Sequence, residues 1–168
     1  FSITATPSNG YQFQGWTGDI VTNANPLNLT MNRAYNLTPV FVPITNSLLV
    51  SSLYGSPFPG TGTTWHVQGN LVNTWADAFV PDGTGTQRVS TGWAGTGSVP
   101  LLGSSNSVSF IITNNSTLSW NWSTECYLWI SPDANGTVNV ANGWYTQFTN
   151  LSITATPTNG YLFQGWTG

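Results

Sequence analysis

Residues 1–18 read FSITATPSNGYQFQGWTG, and residues 151–168 read LSITATPTNGYLFQGWTG. The two stretches agree at 15 of 18 positions and differ only at Phe1/Leu151, Ser8/Thr158 and Gln12/Leu162, so the repeat period is 150 residues. Inside the repeat, Phe1, Ile3 and Ala5 alternate with polar residues, the period of a strand with one face buried. Pro7-Ser8-Asn9-Gly10 is turn chemistry, and Tyr11 and Phe13 begin a return strand. Gly15 interrupts the alternation just ahead of Trp16, as a β-bulge that re-aims the indole would. Repetition at this spacing predicts a tandem array whose units continue into neighbouring copies. On that reading the two copies take one fold with the same strand pairing, and a difference in pairing would make it wrong.

The period of two extends outward from this stretch. Leu27, Leu29 and Met31 alternate, Asn32-Arg33 marks a turn, and Tyr35, Leu37, Pro39 and Phe41 continue in phase. Pro39 has no amide hydrogen for a ladder, so its strand is expected at an edge or a bulge. Further strands are predicted at 49–53, 64–67, 71–80 and 87–93, separated by turn-rich stretches such as SPFPGTGT and Pro81-Asp82-Gly83-Thr84-Gly85. Val108, Phe110 and Ile112, then Asn114-Asn115, then Leu118, Trp120 and Trp122 read as a hairpin. Past Cys126, strands are predicted at 127–130, around Val138 and Val140, and at 144–148.

Good helix formers are scarce, and Gly, Pro, Asn, Ser and Thr punctuate the chain every few residues. The expected class is all-β, with tandem small antiparallel modules of β-sandwich or β-grasp-like form. Three segments follow: 1–43, the C-terminal part of a small module; 44–125, a complete middle module; and 126–168, the N-terminal part of the next small module. A Gly-Trp-[Thr/Ala]-Gly frame at 15–18, 92–95 and 165–168 echoes between the two module types.

Charge sets the functional bounds. Only 4% of the residues are charged, against roughly 25% in an ordinary globular protein. Lysine is absent, and Arg33 and Arg88 face Asp19, Asp77, Asp82, Glu125 and Asp133. So few charges cannot line a phosphate groove or hold anionic lipid, so neither nucleic acid nor membrane is an expected partner. Without lysine, no Lys–Asn isopeptide cross-link can reinforce the chain. Aromatic residues make up 14% of the sequence, enough to build cores, so the polar composition does not signal disorder. Cys126 is the one cysteine, and no apolar run approaches the ~18 residues of a membrane span.

The stretch ITATPSNGYQFQGWTGD, followed by NPLNLTMNRAYNLTPVF, resembles the divergent InlB B-repeat family of bacterial extracellular proteins. The matching positions are Ala5, Pro7, Gly10, Tyr11, Phe13, Trp16, Gly18 and Asp19, then Asn25, Pro26, Leu27, Leu29, Met31 and Phe41. Pro39 stands where the family usually has Ala. The middle stretches YGSPFPGTGTTW, STGWAGTGSVP and SVSFIITNNSTLSWNW look like segments found beside such repeats in very large bacterial surface proteins. The resemblance implies repeated extracellular β domains used as stalks, spacers or adhesive surfaces, a β-grasp-like fold for the small module, and no catalytic residues.

The remaining candidates have ordinary readings beside their chemical ones. His66 and Cys126 would need to meet, with an orienting third group, to form a nucleophilic pair, and nothing in their spacing brings this about. Asp82 and Asp133 sit in oxygen-rich turns, but each offers one carboxylate where calcium takes 6–8 oxygens. No metal, cofactor or catalytic residue is therefore expected. Asn28, Asn36, Asn114, Asn115, Asn121, Asn135 and Asn150 open Asn-x-Ser/Thr sequons and are candidate glycosylation sites, although this Asn- and Thr-rich composition yields several by chance. Trp16, Trp93, Trp120, Trp122 and Trp166 are expected in cores. Trp65, Trp129 and Trp144 are the candidates for contacts between units or with a ligand. The motif's own core is Tyr11, Phe13 and Trp16 with their counterparts Tyr161, Phe163 and Trp166. The function expected is a structural repeat unit of a long extracellular filament, stalk, sheath or adhesin, with adjacent copies as partners. Segments 126–150 and 19–43 are expected to complete one another between units. A carbohydrate- or partner-binding module, taking surface glycans, is the alternative.

Overall fold

A computed structural model describes all 168 residues and contains fifteen strands and no helix. The N-terminal part holds β1 (Ser2–Ile3), β2 (Tyr11–Gly18), β3 (Leu27–Asn28) and β4 (Leu37–Pro43). The middle holds β5 (Thr45–Ser52), β6 (Gly62–Val67), β7 (Leu71–Trp75), β8 (Phe79–Pro81), β9 (Thr86–Thr96), β10 (Leu102–Gly103), β11 (Ser107–Ile111) and β12 (Ser116–Leu128). The C-terminal part holds β13 (Gly136–Val138), β14 (Gly143–Thr146) and β15 (Ala155–Pro157).

The middle is a two-layer sandwich. Its larger sheet has the order β10-β9-β12-β5-β6, with β8 added to β9 and β14 added to β12. The smaller sheet pairs β7 with β11. Alternating residues of both sheets meet between them: Leu48 and Val50 from β5, Val72 from β7, Val108 and Phe110 from β11, Leu118 and Trp120 from β12. Ile112, Trp93, Ala76 and Val99 close this core. β12 runs unbroken through residues 125 and 126, so the expected division there falls inside a strand.

Three sequence expectations are corrected in the sandwich. The predicted hairpin 108–122 does not form: β11 pairs with β7, while β12 pairs with β9 and β5. The turn at Asn114-Asn115 is instead an arch that carries the chain from one layer to the other. Both strands still bury their alternating apolar face, because each faces the same core from the opposite side. The second correction is direction, because β5 and β12 lie parallel, Leu48–Ser52 beside Ser116–Trp120. The predicted strand 71–80 is split into β7 and β8, which belong to different layers.

In the N-terminal part neither return expected at Pro7–Gly10 or Asn32-Arg33 closes a hairpin, because β1 pairs with β3 and β2 with β4. β2 pairs antiparallel with β4, and the register shifts between Phe13 and Gly15, the bulge expected ahead of Trp16. Pro39 lies opposite Trp16 in a sheet of only two strands, where every strand is an edge. Met31 and Tyr35 lie outside the strands, so β3 and β4 are shorter than expected, and they sit in separate two-stranded sheets. This part seats on the sandwich through Ile44, whose amide donates to Gly10 O at 2.8 Å and whose carbonyl accepts from Gln68 N at 2.8 Å. Gly10 has φ +79°, and a Cβ there would lie 2.7 Å from Gln68 O, so the turn demands glycine twice over.

Candidate functional site

The two copies of the repeat can be compared atom by atom, and the comparison defines the site. Their turns agree: Tyr11 N donates to Ser8 O at 3.1 Å and Tyr161 N to Thr158 O at 3.0 Å, with Gly10 and Gly160 both at positive φ. Their aromatic pairs agree as well. Phe13 meets Trp16 edge to face at 5.7 Å, and Phe163 meets Trp166 at 5.3 Å. The expectation that they share strand pairing is not met. Residues Ser2–Ile3 pair with Leu27–Asn28 and Tyr11–Gly18 with Leu37–Pro43, whereas Ala155–Pro157 pair with Gly136–Val138 and 161–168 pair with nothing. The physical reason is that residues 19–43 adjoin the first copy and residues 126–150 the second, so each copy meets a different neighbour, and identical pairing is not the test of the array that the sequence suggested.

Burial follows from this. Trp16 is 5% exposed, packed with Ala5, Leu27 and Leu29 and flanked by Phe13, Ile20 and Leu37. Its indole N–H donates to Ala24 O at 3.0 Å, so the ring's one polar atom is satisfied inside a small core. Trp166 is 56% exposed, and Tyr161 and Phe163 are exposed beside it, contrary to the core placement expected for them. Tyr11 is also exposed. Around Trp166 lies a groove of about 620 Å³, whose walls include Trp129, Val138, Ala155, Phe163 and Trp166 itself.

Two asparagines act as backbone clamps, a role the sequence did not reveal. Asn25 accepts from Ala5 N at 2.9 Å and donates to Ala5 O at 2.8 Å. Asn139 accepts from Thr154 N at 2.6 Å and donates to Ser152 O at 3.0 Å. An Asn before a Pro, or near a Gly, reads as turn chemistry; only the fold discloses that each amide mimics a neighbouring strand's backbone.

The other candidates are placed plainly. Trp93 and Trp120 are buried and Trp122 half-buried, its N–H donating to Ser52 Oγ at 2.9 Å. Trp93 repeats the role of Trp16, its N–H reaching a downstream carbonyl, Pro100 O, at 3.2 Å. The glycines of the shared frame differ, however: Gly18 and Gly92 have positive φ while Gly15 and Gly95 do not. Trp65, Trp129 and Trp144 are exposed. Trp129 and Trp144 both contact Tyr127, at 4.6 and 5.2 Å with ring planes inclined by 49° and 81°, so these rings share no common plane. Trp65 stands apart from them on β6.

Every carboxylate is engaged locally. Asp19 accepts from Asn36 N at 2.6 Å, Asp77 from Ser56 N at 2.7 Å, Asp133 from Asn135 N at 2.8 Å, Glu125 from Gln87 Nε2 at 2.8 Å and Asp82 from Arg88 Nε at 2.8 Å. No three His, Cys, Asp or Glu side chains gather as they would to ligate a metal. His66 Nε2 bonds Thr64 Oγ1 at 2.8 Å on β6, and Cys126 lies exposed on β12. Of the sequon asparagines, Asn28, Asn36, Asn114, Asn115, Asn121 and Asn150 are exposed and Asn135 is half-buried. Asn115 spends its amide oxygen on Ser47 N at 2.9 Å. No helix is long and apolar enough to cross a membrane.

No curated protein and no solved structure matches the chain. The family model of the divergent InlB B-repeat domain matches residues 1–45 and 127–168, together just over half of the sequence. Those two stretches are the ones that hold the clamped strands, the duplicated aromatic pairs and the groove, and on this match the chain belongs to the divergent InlB B-repeat family.

Proposed function

We propose that the chain is a structural repeat unit of a long extracellular surface protein, a filament, stalk, sheath or adhesin shaft, with adjacent copies of itself as partners. The family is one of extracellular or surface-associated repeat modules, which fits this reading. The observation that carries it is that the two family stretches, 1–45 and 127–168, flank one sandwich in sequence, one leading into β5 and the other following β12. A repeat split in sequence around its neighbour is what a periodic chain requires when each module is continuous with the next. A glycan platform needs flat, coplanar rings, which the inclined Tyr127, Trp129 and Trp144 do not supply.

The test has two parts. Antibodies against the sandwich should label intact cells, and mild external protease should remove the label. Recombinant chains of one, two and four periods should show a maximum dimension in small-angle scattering that grows in proportion to the number of periods. A label that appears only after permeabilisation, or a dimension growing as a compact globule's does, overturns the reading.

A further inference from the structure

The strand shared by both copies has two edges, and each copy uses a different one. In the first copy the residues engaged are odd-numbered: Phe1 exchanges backbone bonds with Leu29 at 2.7 and 2.8 Å, Ile3 lies opposite Leu27, and Ala5 is held by Asn25. In the second copy the even-numbered ones are engaged. Ser152 and Thr154 bond Asn139, whose backbone N–H also donates to Thr154 O at 3.3 Å, and Thr158 N donates to Asn135 O at 2.8 Å. Backbone groups of successive strand residues point to opposite edges. The N–H and C=O of Leu151, Ile153 and Ala155 therefore face the edge that β13 leaves open. The two sets of bonds do not compete, and one strand can make both.

We propose that residues 151–168 are a docking face for a second copy of segment 19–43, joined directly after Gly168 as residues 19–43 are joined after Gly18. The proposal rests on the array reading and names the contacts that would hold it together. The occupant is identified by what covers the same residues in the first copy. There Ile20, Leu27, Leu29 and Leu37 surround Trp16, and Ala24 O takes its indole proton. Phe163 and Trp166 keep the edge-to-face contact that this segment meets in the first copy, and the groove walled by Ala155, Phe163 and Trp166 is open. The substitution of Gln12 by Leu162 does not interfere, since Gln12 is exposed even when its strand is paired. The docked strand 151–157 would then lie between β13 and a β3 counterpart, clamped by Asn139 on one edge and by an Asn25 counterpart on the other.

The experiment uses the full chain with a second copy of residues 19–43 fused after Gly168, followed by hydrogen exchange and mass spectrometry. Amides of 151–168 should slow by about tenfold or more relative to the unfused chain, while the sandwich amides serve as the internal standard for folding. Replacing the fused copy's asparagine at the Asn25 position by alanine should release the protection around Ala155, and a scrambled segment should give none. Unchanged exchange in the fused chain overturns the proposal, as does equal protection by the scrambled segment. Protection that appears in the unfused chain and grows with its concentration means that the face takes a whole second molecule, and also overturns it. Any of these results would leave surface exposure and linear growth with period number intact, so this failure is separable from failure of the array.

Discussion

Asn25 joins two segments twenty residues apart with a single amide. Its side chain satisfies both backbone groups of Ala5, which would otherwise be left without partners at the rim of a small core. Asn25→Ala should weaken the N-terminal part by about 2 kcal/mol, read as faster hydrogen exchange at Ala5 with the sandwich unaffected. Gly92 is constrained differently. It has φ +116°, and a Cβ there would sit 1.8 Å from Gly103 O, so backbone meets backbone and nothing flexible can yield. Gly92→Ala should cost about 3 kcal/mol in urea unfolding, and Gly83→Ala, with open space around it, should cost less. A match of four letters could not say which glycine of the Gly-Trp-x-Gly frame bears the positive φ. The frame marked the tryptophan but not its burial: Trp16 and Trp93 are buried, whereas Trp166 in the same frame is exposed.

Strands were easier to find than their partners. Alternation in β11 and β12 announces one buried face each, and the structure buries those faces. It does not say whether two such faces lie side by side in a sheet or opposite one another across a core, since both arrangements hide the same residues. The arch at Asn114-Asn115 is the second arrangement. Parallel pairing of β5 with β12 was illegible for a related reason: its partners are separated by 68 residues in sequence, and no turn links them. The bulge at Gly15 was legible because bulges are local, and the edge position of Pro39 because a missing donor is a property of one residue. In the candidate site, the duplicated motif was visible at once. That one copy would be buried and the other open depended on which neighbour each one meets, and this is not written in the motif itself.

For the molecule as a whole, two basic and five acidic residues form only two ion pairs, Arg33–Asp19 and Arg88–Asp82. Stability therefore rests on packing and backbone hydrogen bonds. Raising NaCl from low concentration to about 1 M should move the thermal midpoint by less than about 2 °C, because there is little charge to screen. A last consequence comes from the direction of β5 and β12. They are the first and last strands of the middle part, they lie side by side and they run the same way, so tension applied at Thr45 and Leu128 pulls them past each other. All their cross-strand bonds are then loaded together in shear. Pulling at Thr45 and Val67, which lie opposite each other on antiparallel strands, would instead unzip bonds one at a time. Single-molecule stretching should need a markedly higher rupture force through the first pair of handles than through the second, which would make this sandwich a tension-bearing link.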